Sequence, residues 1–294
     1  MTPLSGISIK ECTNLDPITD LFNDHRNDPF TYLADIHLFK MFSRLKSFKA
    51  FVAEVDGQVV GCIYAMRYMY DYGWIGGILV HRKFRRMGVG RMLLREALRF
   101  LGPRYVYLFV ELQNVAARRL FENVGFNAVY RRLNYIVNVP FGESICKCDD
   151  IDYDIEWDDL TEALGFKERH GIVNIGYYPI KVTRHVFEDL RNKRKILKCG
   201  SIIAIVENSY NVDVDGYTFT FNDYILRGLA ISPKEKIVEV NPFYTRPQLP
   251  NLIKLINHLG AEGKVAVRTY QEDHVVESLP GKGVFAAFVM ELSP

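Results

Sequence analysis

The chain has no apolar run approaching the ~20 residues that a membrane-spanning helix needs. Its opening residues, MTPLSGISIKEC, have neither the basic start nor the apolar stretch of a secretion signal. A soluble, cytoplasmic protein is therefore expected. Cysteine is sparse. Cys12, Cys62, Cys146, Cys148 and Cys199 are odd in number and scattered, so they do not read as a disulfide framework, and reduced thiols are expected. The close pair Cys146-Lys-Cys148 lacks a second pair to complete a zinc site, so no metal is expected. Two nucleotide signatures are also missing. There is no Gly-Lys-Ser/Thr of a Walker loop and no GxGxxG dinucleotide fingerprint.

What is present is a chain of 294 residues, 48% hydrophobic, with ample material for a core. At roughly 100–200 residues per domain, two domains are expected. Net charge is only +2 but is unevenly spread. Residues 1–145 carry 19 Lys and Arg against 13 Asp and Glu, whereas residues 146–294 carry 18 against 22. Between Arg82 and Arg104, eight basic residues face the single acid Glu96. Such a cluster suits phosphate, either of a nucleotide cofactor or of nucleic acid. A chain this close to neutral does not lead toward nucleic acid.

Periodicity gives an order of elements. Gly6–Cys12 alternates like a strand, and Leu15–His25 and Phe30–Leu45 have helical spacing. Phe48–Val55 and Val59–Met69 read as strands joined across Asp56-Gly57, a strong hairpin signal. Trp74–Val80 is a strand, Gly88–Leu101 an amphipathic helix, Tyr105–Leu112 a strand, Asn114–Val124 a helix and Asn127–Val139 a strand. A mixed α/β sheet with helices packed on it is expected. The second half repeats much of this: Ile151–Trp157 as an opening strand, helices at Asp158–Leu164 and Arg184–Leu197, and a hairpin of Ser201–Glu207 with Tyr217–Asn222. Ile237–Asn241, Pro250–Leu259, Lys264–Thr269 and Val284–Leu292 follow as strand, helix, strand and strand. This predicts an internal repeat, with domains at 1–145 and 150–294.

The informative segment is WIGGILVHRKFRRMGVGRMLLREAL, residues 74–98. A strand ends at Val80, a basic loop follows, and a helix opens at Gly88-Val89-Gly90. Unpaired N–H groups and the positive end of the helix dipole then converge on one spot. Glycines at 88 and 90 leave main chain bare for a pyrophosphate. The string Arg85-Arg86-Met87-Gly88-Val89-Gly90 fits the R/Q-x-x-G-x-G/A signature of the GCN5-related N-acetyltransferase (GNAT) superfamily. A second block, VELQNVAARRLFENVGF, follows at the family's distance. The chain resembles that family over residues 48–135 and less tightly over 1–140.

The resemblance implies the GNAT fold and acetyl-CoA as acyl donor, and the internal repeat then suggests two tandem copies, the second a degenerate GNAT-like or accessory α/β domain. Its site carries over residue by residue. Leu79 and Val80 would pair with the pantetheine arm, the N–H near Val80 polarising the thioester carbonyl. Arg85, Arg86, Met87, Gly88, Val89, Gly90 and Arg91 would hold the pyrophosphate. Asn114 would bond the pantetheine arm, or serve as a plain helix cap. Phe121 stands where the family often has the tyrosine that protonates the leaving thiolate. Phe109 stands where the N-terminal acetyltransferase branch, which the chain also resembles through GFNAVYRRLNY, often has a glutamate. Glu54, Asp71 and Glu111 are the remaining candidates for a water-relayed base. Tyr70 and Tyr72 are candidates for an aromatic acceptor wall or a core face, and Tyr135 for a peptide contact or an ordinary strand residue.

The activity expected is acetyl transfer to a primary amine of a small molecule, peptide or protein. The alternative is a CoA-binding regulatory or scaffold module that has lost its chemistry, which Phe109 and Phe121 favour.

Overall fold

The computed structural model describes residues 6–32, 34–137, 148, 150–175, 178–229, 231–260, 264–270, 273–279 and 282–294. The first half runs β1 (Ser8–Glu11), α1 (Asp16–Asp24), α2 (Ala34–Phe42), β2 (Phe48–Val55), β3 (Gln58–Tyr68), β4 (Tyr72–Val80), α3 (Val89–Leu101), β5 (Val106–Glu111), α4 (Val115–Glu122) and β6 (Asn127–Val137). Every element read from periodicity is present, with ends shifted by a few residues. The boundary expected between residues 145 and 150 lies largely outside the described residues.

The second half runs β7 (Ile151–Asp152), α5 (Trp157–Glu162), β8 (Ile172–Ile175), β9 (Tyr178–Lys181), α6 (Arg184–Asn192), β10 (Ile196–Cys199), β11 (Ile202–Val214), β12 (Tyr217–Asn222), α7 (Asp223–Leu229), β13 (Glu235–Tyr244), α8 (Leu249–Leu259), β14 (Lys264–Tyr270), α9 (His274–Glu277) and β15 (Lys282–Leu292). The helix expected to reach Leu197 stops at Asn192. Arg194 takes φ 53°, the chain reverses, and Ile196–Cys199 pairs with β11 instead. The opening strand expected over 151–157 is two residues long, because α5 starts at Trp157 on a capping box between Glu156 and Asp159. The β8–β9 hairpin has four residues per strand, too few for alternation to be seen.

Thirteen strands form one sheet in the order β1-β2-β3-β4-β5-β15-β6-β14-β13-β11-β10-β7, with β12 added to β11. The order has the same plan from either end. The parallel pairs β4/β5 and β13/β14 sit symmetrically about the centre, with antiparallel pairs outside them. At the centre the last strand of the chain, β15, lies between β5 and β6, and β6 lies between β15 and β14. Each half thus completes the ladder of the other.

α3 is held by burial. Val89, Leu93, Leu94, Ala97 and Leu101 recur on one face and pack on Ala53, Ile63 and Val110 of the sheet. Each Val or Leu buried this way contributes ~1.5–3 kcal/mol against leaving it in water. On the opposite face α1 and α2 share a core with α5, α6 and α7, so the two halves are packed as one body.

Cys148 and Cys199 form a disulfide, where reduced thiols were expected. Pairing of the second half's edge strands brings their Cα atoms to 6.1 Å, which no spacing in the sequence signals. In the chain-entropy account, closing a loop of 51 residues stabilises the fold by ~4 kcal/mol. Cys12 and Cys62 are free, and Cys146 lies outside the described residues. Among the described residues no group of three or more His, Cys, Asp or Glu is placed to hold a metal, and no helix is long and apolar enough to cross a membrane.

Candidate active site

β4 and β5 pair in parallel only at Gly73↔Val106 and Trp74↔Tyr107, and then part. On its other edge β4 bulges against β3, Gly77 and Ile78 together opposing Ile63. The bulge kinks β4 away and leaves main-chain amides without a ladder partner. Gly77 is required here for two reasons: its φ is 58°, and a side chain would collide with the rings of Phe39 and Tyr64. The result is a cleft of ≈ 540 Å³ with Ile75–Ile78 on one wall and Leu108–Glu111 on the other.

Beyond the cleft the chain turns into α3 at Gly88, which has φ 90° and open space where a side chain would point. Arg86, Met87 and Arg91 around it are exposed. Arg85 is otherwise engaged. Its Nε donates to the Val80 carbonyl at 2.9 Å and its Nη2 lies 2.5 Å from Asp28 Oδ2. Arg82 reaches the other oxygen of Asp28 at 3.1 Å. Burial pulls the Asp28 pKa up, but the hydrogen bond and charge of Arg85, with Arg82 behind it, outweigh burial and hold it below the usual carboxylate range. The buried His25 at the end of α1 accepts from the Arg82 N–H through Nε2 at 3.1 Å, with Nδ1 on the Leu21 carbonyl at 2.9 Å. Together Asp28 and His25 fasten α1 to the basic loop.

Asn114 caps α4, its Oδ1 accepting from the Ala117 N–H at 3.1 Å, and lines the cleft with Ala117 and the buried Phe121. Leu79 and Val80 are paired with Cys62 and Gly61 of β3. The open stretch of β4 that lines the cleft is Ile75–Ile78, slightly upstream of the Val80 N–H that the resemblance singled out.

Of the expected bases, only Glu111 lines the cleft, where it accepts a hydrogen bond from the Tyr32 hydroxyl. Glu54 is paired with Lys10 at 2.7 Å and Asp71 with Arg104, both outside the cleft. A carboxyl that the sequence reading passed over is present instead. Asp35, in the first turn of α2, lines the cleft, and desolvation pushes its pKa up to about 7. In the sequence it reads as an ordinary acid at a helix start, so no signal marked it.

Tyr70 and Tyr72, the candidates for an acceptor wall or a core face, join the two halves. Tyr70 donates to Asp189 of α6 at 2.5 Å, and Tyr72 to the Lys181 carbonyl of β9 at 2.6 Å. Tyr135 pairs across β6 with Val267 of β14, away from the cleft. The aromatic wall is built by Trp74, with Phe109 at 5.0 Å and Tyr178 at 5.4 Å, and by Phe219 and Phe221 of β12.

The counterpart gap in the second half is filled. β13 and β14 stay parallel from Ile237↔Lys264 to Val240↔Val267 and then part. Arg169, fully buried, bridges the opening. Its Nη2 donates to the Pro242 carbonyl at 2.6 Å, its Nη1 to the Arg268 carbonyl at 3.1 Å and its Nε to the Gly165 carbonyl at 2.7 Å. β13 pairs with β11 without a bulge. The turn into α8, Thr245–Gln248, has no glycine, and Pro250 removes one of the helix's first N–H groups.

Residues 15–126 match the family model described as Acetyltransferase (GNAT) family. An N-alpha-acetyltransferase of Sulfurisphaera tokodaii is 33% identical over 102 residues, 29% of this chain and 61% of that one. N-alpha-acetyltransferase 30 of Dictyostelium discoideum is 31% identical over 91 residues, 29% of this chain and 49% of that one. The chain therefore spans between about half and three-fifths of these relatives. Among solved structures, a putative acetyltransferase from Pyrococcus horikoshii aligns over 100% of this chain and 92% of its own, at 13% identity and TM-score 0.46. The ribosomal-protein-S18-alanine N-acetyltransferase of Escherichia coli aligns over 43% and 81%, at 23% identity and TM-score 0.37. Residues 15–126 carry a GNAT-family domain.

Proposed function

We propose that the protein is an N-acetyltransferase that moves an acetyl group from acetyl-CoA to a primary amine. In this reading residues 1–145 supply the acyl-donor site and 150–294 brace it and complete the acceptor side. The observation that carries it is the β4–β5 gap ending at the bare Gly88 turn. The fit is physical: an extended arm can pair with unladdered β4 amides, and an anion can seat on the α3 N-terminus beside Arg86 and Arg91. Acetyl-CoA supplies a thioester whose carbonyl carbon takes the amine lone pair, the C–N bond forming as the C–S pair leaves with sulfur.

The chain's own part is binding and proton handling. Ile75–Ile78 and Asn114 orient the arm. Main-chain N–H groups at the Gly77–Ile78 bulge polarise the acyl oxygen. Asp35, ionised above about pH 7, takes a proton from the incoming ammonium. That ammonium has an ordinary pKa near ~10, which the apolar walls lower. The second amine proton goes to the departing sulfur, so the products are amide and CoA thiol.

Binding of CoA to wild type and Gly88→Glu, with acetyl-CoA turnover on a mixed amine panel, tests this. Tight uptake by wild type that Gly88→Glu loses, together with turnover, is the expected result. Uptake without acetylation of any acceptor is the scaffold outcome, and uptake untouched by Gly88→Glu removes the site.

A further inference from the structure

Resting on that reading, we infer that the acceptor is a small primary amine carrying one positive charge on an apolar, ring-bearing body. Three features of the cleft converge on this class.

Its charge selects a cation. Among the described residues lining it, Asp35 and Glu111 are the only ones able to carry full charge, and no Lys, Arg or His is present. The basic cluster lies outside, at the α3 turn, so the anionic and cationic ends of the site are separated.

Its walls select an apolar body. Phe30, Trp74, Phe109, Tyr178, Phe219 and Phe221 present rings, which suit both an aromatic group and an ammonium over a ring face. The one polar strand of the wall is spent internally. Thr218 donates to Asp213 at 2.7 Å and Thr220 to Asn211 at 2.8 Å, both on β11. A polyhydroxylated amine would leave its hydroxyls unpaired against these walls, and an amine with three or more charges would outnumber the two carboxyls.

Its closure limits size. The second half folds over the side away from α3. The β11–β12 hairpin rests on α2, with His37 Nδ1 2.9 Å from Asp215 Oδ2 and the Phe42 and Phe221 rings at 5.7 Å. Tyr32 crosses to Glu111 at the end of β5. The cleft's ≈ 540 Å³ lies inside the ordinary range of ~300–1,000 Å³ for small-ligand sites, and it must also take the acyl end of the donor. An extended peptide has little room beside it.

The test is kcat/KM for the full-length protein with saturating acetyl-CoA and four probes: 2-phenylethylamine, spermidine, kanamycin and octapeptides with free N-termini. Phenylethylamine is expected to lead by at least ~10-fold, the discrimination that about 1.4 kcal/mol of pocket contact gives. Phe219→Ala should raise its KM about 10-fold while leaving CoA affinity within about twofold. Phe219→Leu, which keeps the core filled, should show the same direction if Phe219→Ala fails to fold. If spermidine, kanamycin or a peptide leads while acetyl-CoA is consumed, the acceptor class is wrong and acetyl transfer stands. If CoA binds and no probe is acetylated, the enzymatic reading itself falls, and this inference with it.

Discussion

Arg85 and Asp28 are paired across the base of the basic loop before α3, guanidinium to carboxylate at 2.5 Å, with Arg82 on the same carboxylate at 3.1 Å. An anion of this chain thus holds two of the cations nearest the Gly88 turn. Asp28→Asn removes that negative charge and frees both arginines, whose side chains are about half exposed. The variant is expected to bind CoA about 3–5-fold more tightly at low salt, with the gain shrinking as salt screens it. Isothermal calorimetry at two ionic strengths reads this directly. Weaker binding at low salt would mean that Asp28 acts by positioning the loop.

Asp35 gives the pH dependence. Its pKa, raised by desolvation to about 7, would place ionisation of this proposed base inside the working range. The rate should rise through pH 7 and level off above pH 8. Asp35→Asn should lose this limb and about 10²–10⁴ in rate. A profile identical in wild type and variant would remove Asp35 from the reaction.

The same shift makes a stability prediction of opposite sign. The folded protein holds the proton more tightly than the unfolded chain, whose Asp titrates near ~3.9. Stability is therefore lost as pH rises from about 4 to about 7, and the loss stays constant above that. Asp35→Asn should then be more stable than wild type at pH 8 by on the order of a few kcal/mol and melt at a higher temperature, with the gap closing toward pH 4. Thermal melts at three pH values check it.

How far this was legible in the sequence follows from range of interaction. Gly88, Asn114 and the strands around them are specified locally, by turn chemistry, capping and alternation, and the structure has them as read. Asp35 could not be recognised, because its shifted pKa comes from walls that fold together from residues far along the chain. The choice between acceptor wall and core face for Tyr70 and Tyr72 was out of reach of the sequence for the same reason. Tyr70 sits in the turn between β3 and β4, with φ 55°, and the partners of the two tyrosines, Asp189 and Lys181, lie more than a hundred residues on. The disulfide between Cys148 and Cys199 and the place of β15 are likewise long-range facts.

β15 makes the first half depend on the end of the chain. It is hydrogen-bonded to β5 from Ala287↔Glu111 to Leu292↔Val106 and to β6 on its other edge, and Tyr107 donates to Glu291 at 2.7 Å. Deleting residues 282–294 would leave β5 and β6 each unpaired along one edge and expose the core partners of Val289 and Met290. The truncated protein is expected to lose its cooperative melt and its CoA binding, although every residue of the 74–126 motifs remains. Circular dichroism and a CoA binding isotherm decide it, and a truncated chain that still binds would show that the cofactor half stands alone.

In the proposed reading Arg169 limits the chain to one donor site. Its guanidinium is donated to three carbonyls in the gap that, in the first half, stands open. One CoA per chain is therefore expected from calorimetric stoichiometry. Arg169→Ala should orphan those buried carbonyls and destabilise the fold by about 3–5 kcal/mol. It should not create a second site, since β13 has no bulge and the Thr245–Gln248 turn has no glycine. Two CoA molecules bound to wild type would mean that the guanidinium yields to a pantetheine arm, and the asymmetry between the halves would then be one of occupancy rather than of construction.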